Sequence, residues 1–224
     1  MHVKRTSRTT KRSSARSTGS PRPSRGARAR SPAQVDRTAA DALLAIDDTL
    51  RCLGLAWYLF GAQAVAAYGV PRTTTDIDVT VVPGALPTSA LAAAFVANGF
   101  TLRFADAACI DQSRVIQARH TASGWSVDVV VAGPGLEEMF AARAVPARLG
   151  RRRIPVIAPD DLIALKVLAH RRKDQDDVVG ILRTYRALDR ARLYQTVALL
   201  EAALDQSDLR PLLDQLEREA KQRH

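Results

Sequence analysis

Large apolar side chains recur at helical spacing over residues 35–52, where Ala39, Leu43, Leu44, Ile46 and Leu50 are interleaved with acids, and Gly54 stops the helix this predicts. The period then shortens to two. Residues 56–60 predict a short apolar strand. Gly61 turns it into a small-residue helix over 62–68, and Gly69 ends that helix. Pro71 and the threonines after it lead into a second strand over 76–82, closed by Pro83-Gly84. An alanine-rich helix over 87–98 ends at Gly99, and a strand over 100–104 follows. The stretch 105–113 shows no decisive pattern. Strands over 115–121 and 125–131 predict a hairpin around Ser123-Gly124, then a short helix over 135–142, then a second hairpin across 144–157 centred on Gly150. From Pro159 the pattern is helical to the end, with Arg210-Pro211 opening the last helix.

This order, without an internal repeat, predicts an α/β (α+β) fold: a core over 35–157 and a C-terminal helical segment over 158–224. Residues 1–34 are mostly Arg, Ser, Thr and Pro with almost no large apolar side chain. Such a segment cannot bury enough surface to offset its ordering entropy, so a disordered basic tail is expected.

Charge sharpens that division. The formal net charge is +10, and residues 1–33 hold ten Lys or Arg and no acid, while the rest carries 23 basic and 23 acidic side chains. The high pI therefore belongs to the tail and says nothing about nucleic-acid binding by the folded body. The tail suits electrostatic attachment to RNA or DNA and equally suits a dispensable extension from an upstream start codon. Two cysteines without a CxxC, and four scattered histidines, argue against a disulfide framework or a zinc site. No apolar run approaches the ~20 residues needed to span a bilayer, and the N-terminus has no apolar signal region. The expectation is a cytoplasmic protein with no membrane role.

Asp76 and Asp78 are two apart on a predicted strand, so both side chains point to one face while Ile77 points to the other. Aspartate is depleted in strands. Asp128 lies in a second apolar strand; if the two strands adjoin, three carboxylates converge. At ~5 Å and an effective dielectric of ~20, each like-charge pair costs about 3 kcal/mol. Bound Mg²⁺ or Mn²⁺, which favour hard oxygen ligands, would remove that cost. The spacing alone also suits the solvent face of an edge strand. Upstream, Gly61 sits at a strand-to-helix junction, which can aim backbone N–H groups at an anion, and the small Ala62 leaves room for one. Arg72 and Thr74 precede the first aspartate and could contact phosphate oxygens; Arg72 could instead pair with an acid. In residues 160–171, Lys166 is the one polar residue between Asp161 and His170, which shares its helical face. A buried lysine needs an anionic partner, such as a triphosphate or the carboxylate cluster, unless its stem reaches solvent. Lys173, Asp174, Asp176 and Asp177 follow, one aspartate being a candidate cap for a helix from about 175. Arg151-Arg152-Arg153 marks a hairpin tip that suits a solvated turn or an RNA backbone contact.

Together, Phe60-Gly61-x-Gln63-Ala64-Val65, Tyr68-Gly69-x-Pro71-Arg72-x-Thr74-x-Asp76-Ile77-Asp78, Val127-Asp128, and the stretch from Pro159 through Lys166 to Asp177 resemble nucleotidyltransferases with a DNA polymerase beta-like fold. The branch they resemble is that of AbiEii-type toxins and their bacterial relatives. The resemblance spans roughly residues 55–185. It implies a nucleotidyltransferase-type mixed sheet with flanking helices, and transfer of NMP from an NTP to an acceptor, tRNA or other RNA, with a partner antitoxin. It assigns the metal ions to Asp76, Asp78 and Asp128, nucleotide phosphates to the turn at Gly61, and a phosphate or transition-state contact to Lys166, with Asp177 a further site residue. Many members have Gly-Ser where this chain has Gly61-Ala62, so phosphate binding would rest on backbone amides. A small-molecule, antibiotic-type nucleotidyltransferase and a non-catalytic binding module are the alternative functions.

Overall fold

The computed structural model describes residues 37–222, so the tail expected over 1–34 lies outside the described residues. Helix α1 (Arg37–Cys52) precedes β1 (Ala56–Phe60), α2 (Gly61–Ala67), β2 (Asp76–Val82), α3 (Thr88–Ala97), β3 (Phe100–Leu102) and α4 (Ala107–Ser113). Then come β4 (Val115–His120), β5 (Ser126–Val131), α5 (Leu136–Arg143), β6 (Val145–Leu149), β7 (Arg152–Val156) and four helices: α6 (Pro159–Ala169), α7 (Arg172–Thr184), α8 (Arg190–Leu204) and α9 (Leu209–Gln222). This is the mixed α/β architecture with flanking helices that the sequence pattern predicts.

The strands form one seven-stranded sheet in the order β3-β4-β5-β2-β1-β7-β6. Strand β2 runs antiparallel to β1 and parallel to β5, and both predicted hairpins, β4–β5 and β6–β7, are antiparallel pairs. The period-two pattern explains the sheet's two faces. Ile77, Val79 and Val81 of β2 and Val127, Val129 and Val131 of β5 are buried on one side, and the residues between them face the other. Because β2 lies between β1 and β5, the paired aspartates stand inside the sheet and not on an edge strand.

Some elements differ from the expectation for identifiable reasons. The patternless stretch is α4, a helix of about two turns whose N-cap Asp106 accepts a hydrogen bond from the Cys109 N–H; a helix so short shows little period. The third strand ends at Leu102, two residues early. Helix α7 starts at Arg172, with Arg171 as a cap that makes no side-chain cap bond, so no aspartate caps it.

The C-terminal helices are tied to the core through buried acids. Asp160 and Asp161, in the first turn of α6, are fully buried. Arg192 of α8 makes a two-nitrogen pair with Asp160, its Nη2 lying 3.0 Å from Oδ1. The Thr196 hydroxyl donates to Asp161 at 3.0 Å, and Arg143 of α5 lies 3.3 Å from the same oxygen. First-turn charge suits a helix dipole, and here it also cross-links three helices. Residues 37–222 belong to one compact unit. Among the described residues, no helix is long and apolar enough to cross a membrane.

Candidate active site

Strand register builds the site. In the β2–β5 pair, Asp78 stands opposite Asp128 and Asp76 opposite Ser126. Opposed residues share a face, so all three carboxylates gather on the side away from the valine core. One oxygen from each of Asp76, Asp78 and Asp128 lies within 4.8 Å of the others. All three side chains are half-buried. The Thr74 hydroxyl donates to the Asp76 carboxylate, which orients it. Gln117 stands opposite Asp128 on β4, and its side chain is close enough to favour that carboxylate's ionised form.

Gly61 fits this cluster closely. It has a φ of +67°, and a Cβ placed there would lie 1.9 Å from Asp78 Oδ2. Both the left-handed backbone and the packing of Asp78 against the turn therefore require glycine. The turn begins α2, whose N-cap Phe60 provides no side-chain cap, and Ala62 adds no bulk beside it.

The electrostatics follow from the crowding. Burial, then the charges of Asp76 and Asp128, push the Asp78 carboxyl up to about 6; Lys166 and Lys173 act in the opposite direction. Burial and Asp76 also raise Asp128, against the Gln117 side chain and the charge of Arg103. Three hard oxygen donors, mutual repulsion only partly offset by nearby cations, and a turn that admits nothing larger than glycine together fit a divalent cation.

Lys166 is buried, but its immediate partners are neither a triphosphate nor the carboxylate cluster. Its Nζ lies 2.9 Å from Asp174 Oδ1 and 2.8 Å from Asp177 Oδ2. Arg72 Nε lies 3.2 Å from Asp177 Oδ1, and Arg171 Nε lies 2.5 Å from Asp174 Oδ2. A charge ladder results: Arg171, Asp174, Lys166, Asp177, Arg72. Burial opposes ionisation of Asp174, but hydrogen bonds from Arg171 and Lys166 outweigh it and hold the carboxyl below its usual range. Arg72 thus pairs with an acid that is buried rather than exposed. Asp174 and Asp177, three apart on α7, present one face to α6. His170 lies outside the ladder: it ends α6 at a φ of 55° and is exposed. At the hairpin tip, Arg152 pairs with Asp47 and Asp48 of α1.

The sequence reading named Lys173 and Asp174 but gave neither a site role, and it did not name Gln117 or Arg103. The spacing of Asp174 and Asp177 opposite a lone buried lysine was an available signal. Gln117 and Arg103 depend on strand register, which no local pattern specifies.

Two outcomes are expected. Gly61→Ala should displace Asp78 and abolish the thermal stabilisation that Mg²⁺ gives the unaltered protein; equal stabilisation in a differential scanning measurement would contradict the packing described. For Asp78, the unfolded chain titrates near 3.8 and the folded, metal-free chain at about 6. Between these values the folded state binds more protons, so metal-free stability falls as pH rises from about 4 to about 6 and then levels. Asp78→Asn should shrink that fall, leaving the part due to Asp128 and Asp161, and stabilise the chain in EDTA at pH 7.5 by about 1–2 kcal/mol once solvent screening is allowed for. Denaturant unfolding at pH 4.5 and 7.5 reads it; destabilisation at pH 7.5 would count against the repulsion.

No family model matches the chain, and no curated protein matches it. Solved structures do. The solution structure of the antibiotic-resistance factor ANT(2'')-Ia is similar with a TM-score of 0.53 at 15% identity, over 76% of this chain and 95% of that one. The crystal structure of an antigenic nucleotidyltransferase-like protein from Paracoccidioides brasiliensis is similar with a TM-score of 0.51 at 14% identity, over 80% of this chain and 93% of that one. At such identities the likeness is one of fold, and the chain has the nucleotidyltransferase fold.

Proposed function

We propose that this chain is a metal-dependent nucleotidyltransferase that moves a nucleoside monophosphate from an NTP to an acceptor in the cytoplasm. The observation that supports this most directly is the convergence of Asp76, Asp78 and Asp128, with ligand oxygens within 4.8 Å, against a turn where Asp78 leaves no room for a Cβ. Asp76 and Asp78 would hold two Mg²⁺ or Mn²⁺ ions, and Asp128 one of them. Bound there, the ions would supply charge neutralisation for in-line phosphoryl transfer.

The chain's own groups account for the rest. The acceptor oxygen forms a bond to the α-phosphorus while the α–β bridging bond breaks and pyrophosphate leaves. Asp128, at the β4 side of the cluster, orients the acceptor and takes its proton. Lys166 and Lys173, close enough to draw down the Asp78 pKa, offset triphosphate charge. The ladder of Asp174, Asp177 and Arg72 fixes the Lys166 ammonium. Thr74 orients Asp76. Backbone amides at Gly61 and Ala62 receive phosphate in place of a serine hydroxyl. In this reading the core over 35–157 carries the metals, and the helices over 158–224 bring Lys166 and close one side.

The order Gly61, Asp76-Ile77-Asp78, Asp128, Lys166, Asp174, Asp177 supports the AbiEii-type branch, hence an RNA acceptor and a partner antitoxin. The fold shared with an antibiotic-resistance factor over 95% of its chain favours a second reading, a small-molecule acceptor. Incubation with each labelled NTP, Mg²⁺ and total cellular RNA, followed by gel analysis, should label RNA. Asp76→Ala should reduce labelling at least about a hundredfold while the chain stays folded. Unchanged labelling in that variant would overturn the assignment.

A further inference from the structure

Residues 68–75 join α2 to β2, carry Arg72 and Thr74, and belong to no helix or strand. One face of α7 holds this connection in place. Asp177, Gly180 and Thr184 stand three and four residues apart, so they line a single stripe of the helix. Along that stripe, Asp177 Oδ1 lies 3.2 Å from Arg72 Nε, Gly180 abuts Val70, and the Thr184 hydroxyl bridges the carbonyls of Tyr68 and Gly180 at 3.1 and 2.9 Å. Helix and connection run in opposite directions. Seven residues of helix rise about 10 Å, and four residues of extended chain reach at most about 14 Å, so the connection is drawn out along α7 from Tyr68 to Arg72.

The middle contact is the tightest. A Cβ built on Gly180 would lie 2.8 and 3.0 Å from the two Val70 methyls and 3.5 Å from the Val70 Cβ. Valine is stiff at χ1, and each of its rotamers fills at least one of those two methyl positions. A side chain at 180 must therefore push the main chain of the connection off α7. Glycine inside a helix costs helix stability, and the close approach of Val70 accounts for its use here.

The connection is fixed upstream as well, where the Tyr68 hydroxyl donates to the Ile157 carbonyl at 2.5 Å and its ring packs edge-on to Tyr185 at 5.0 Å. Downstream, Thr74 follows Val70 by four residues, and its hydroxyl orients the Asp76 carboxylate. Asp177 joins the stripe to the charge ladder, because its Oδ2 holds Lys166 at 2.8 Å while Oδ1 faces Arg72. One helix thus sets the place of Lys166 and the place of Thr74 together.

We propose that Gly180 and Thr184 are positioning residues of the metal site. They seat residues 68–75 against α7, so that Thr74 presents Asp76 to a divalent cation in register with Lys166. The inference rests on the divalent-cation site of the nucleotidyl-transfer reading, and it assigns part of that site's geometry to a helix outside the sheet.

Calorimetric titration of the metal-free full chain with Mn²⁺, paired with hydrogen exchange at the amides of residues 69, 70 and 72–75, tests it. Gly180→Ala should weaken Mn²⁺ binding about tenfold or more, the scale for loss of a ligand's supporting contact, and speed exchange in the connection. Val70→Ala opens the space that the new Cβ needs. In that background the same Gly180→Ala change should slow exchange and bring Mn²⁺ affinity to within about threefold of the unaltered chain. Alanine raises helix propensity in both backgrounds, so a role confined to the stability of α7 gives one sign in both, and a reversal of sign belongs to the contact. Thr184→Val keeps the side-chain shape, loses the hydroxyl, and should weaken Mn²⁺ binding about threefold or more. Asp78→Asn, measured alongside, reports whether Mn²⁺ sits at the carboxylates. If it does, unaltered Mn²⁺ affinity in Gly180→Ala and Thr184→Val would overturn the positioning role and leave the metal site standing. Weakening by Gly180→Ala of the same size with and without Val70→Ala would do the same. Mn²⁺ binding that is absent from the unaltered chain, or indifferent to Asp78→Asn, would overturn the metal site itself and the positioning role with it.

Discussion

The parallel register between β2 and β5 is the constraint from which the site follows. Asp78 opposes Asp128 because Ile77, Val79 and Val81 must be buried on the same side as Val127, Val129 and Val131. A one-residue slip would turn a valine strand outward and the aspartate of β5 inward. The energies show which effect wins. Burying six branched aliphatic side chains stabilises the chain by about 1.5–3 kcal/mol each, against about 3 kcal/mol for each repelling carboxylate pair. The core can thus hold the acids together at a cost that a divalent cation would relieve.

Around that cluster, the neighbouring elements restrict what each carboxylate can do. Gly61 lets Asp78 lie against the first turn of α2, Thr74 orients Asp76, and Gln117 favours the ionised form of Asp128. The α6–α7 ladder gives a buried ammonium two carboxylate partners, and these are balanced in turn by Arg72 and Arg171. An ammonium held by two anions cannot move far. That rigidity suits a group that offsets charge from a fixed point, and removing one member would leave a buried charge unpaired.

Much of this was legible in the amino-acid order, and the limits have physical causes. Alternation placed Asp76 and Asp78 on one face without coordinates, and the glycine punctuation located the turn at Gly61. The helices after Pro159 followed from their periodicity. What escaped depends on contacts between distant segments. The partners of Lys166 required the angle at which α7 returns along α6. Gln117 and Arg103 required the register of β3 and β4, which turn geometry and packing set together. Helix α4 escaped because a cap, rather than an apolar stripe, starts it.

The central claim is that carboxylates from two adjoining strands form one divalent-cation site. Crystals of the chain grown with Mn²⁺ and a non-hydrolysable NTP analogue test it through anomalous scattering from manganese. The account predicts anomalous peaks within about 2.0–2.4 Å of oxygens from Asp76, Asp78 and Asp128. Peaks held elsewhere, or nucleotide bound with no manganese at these three side chains, would contradict it.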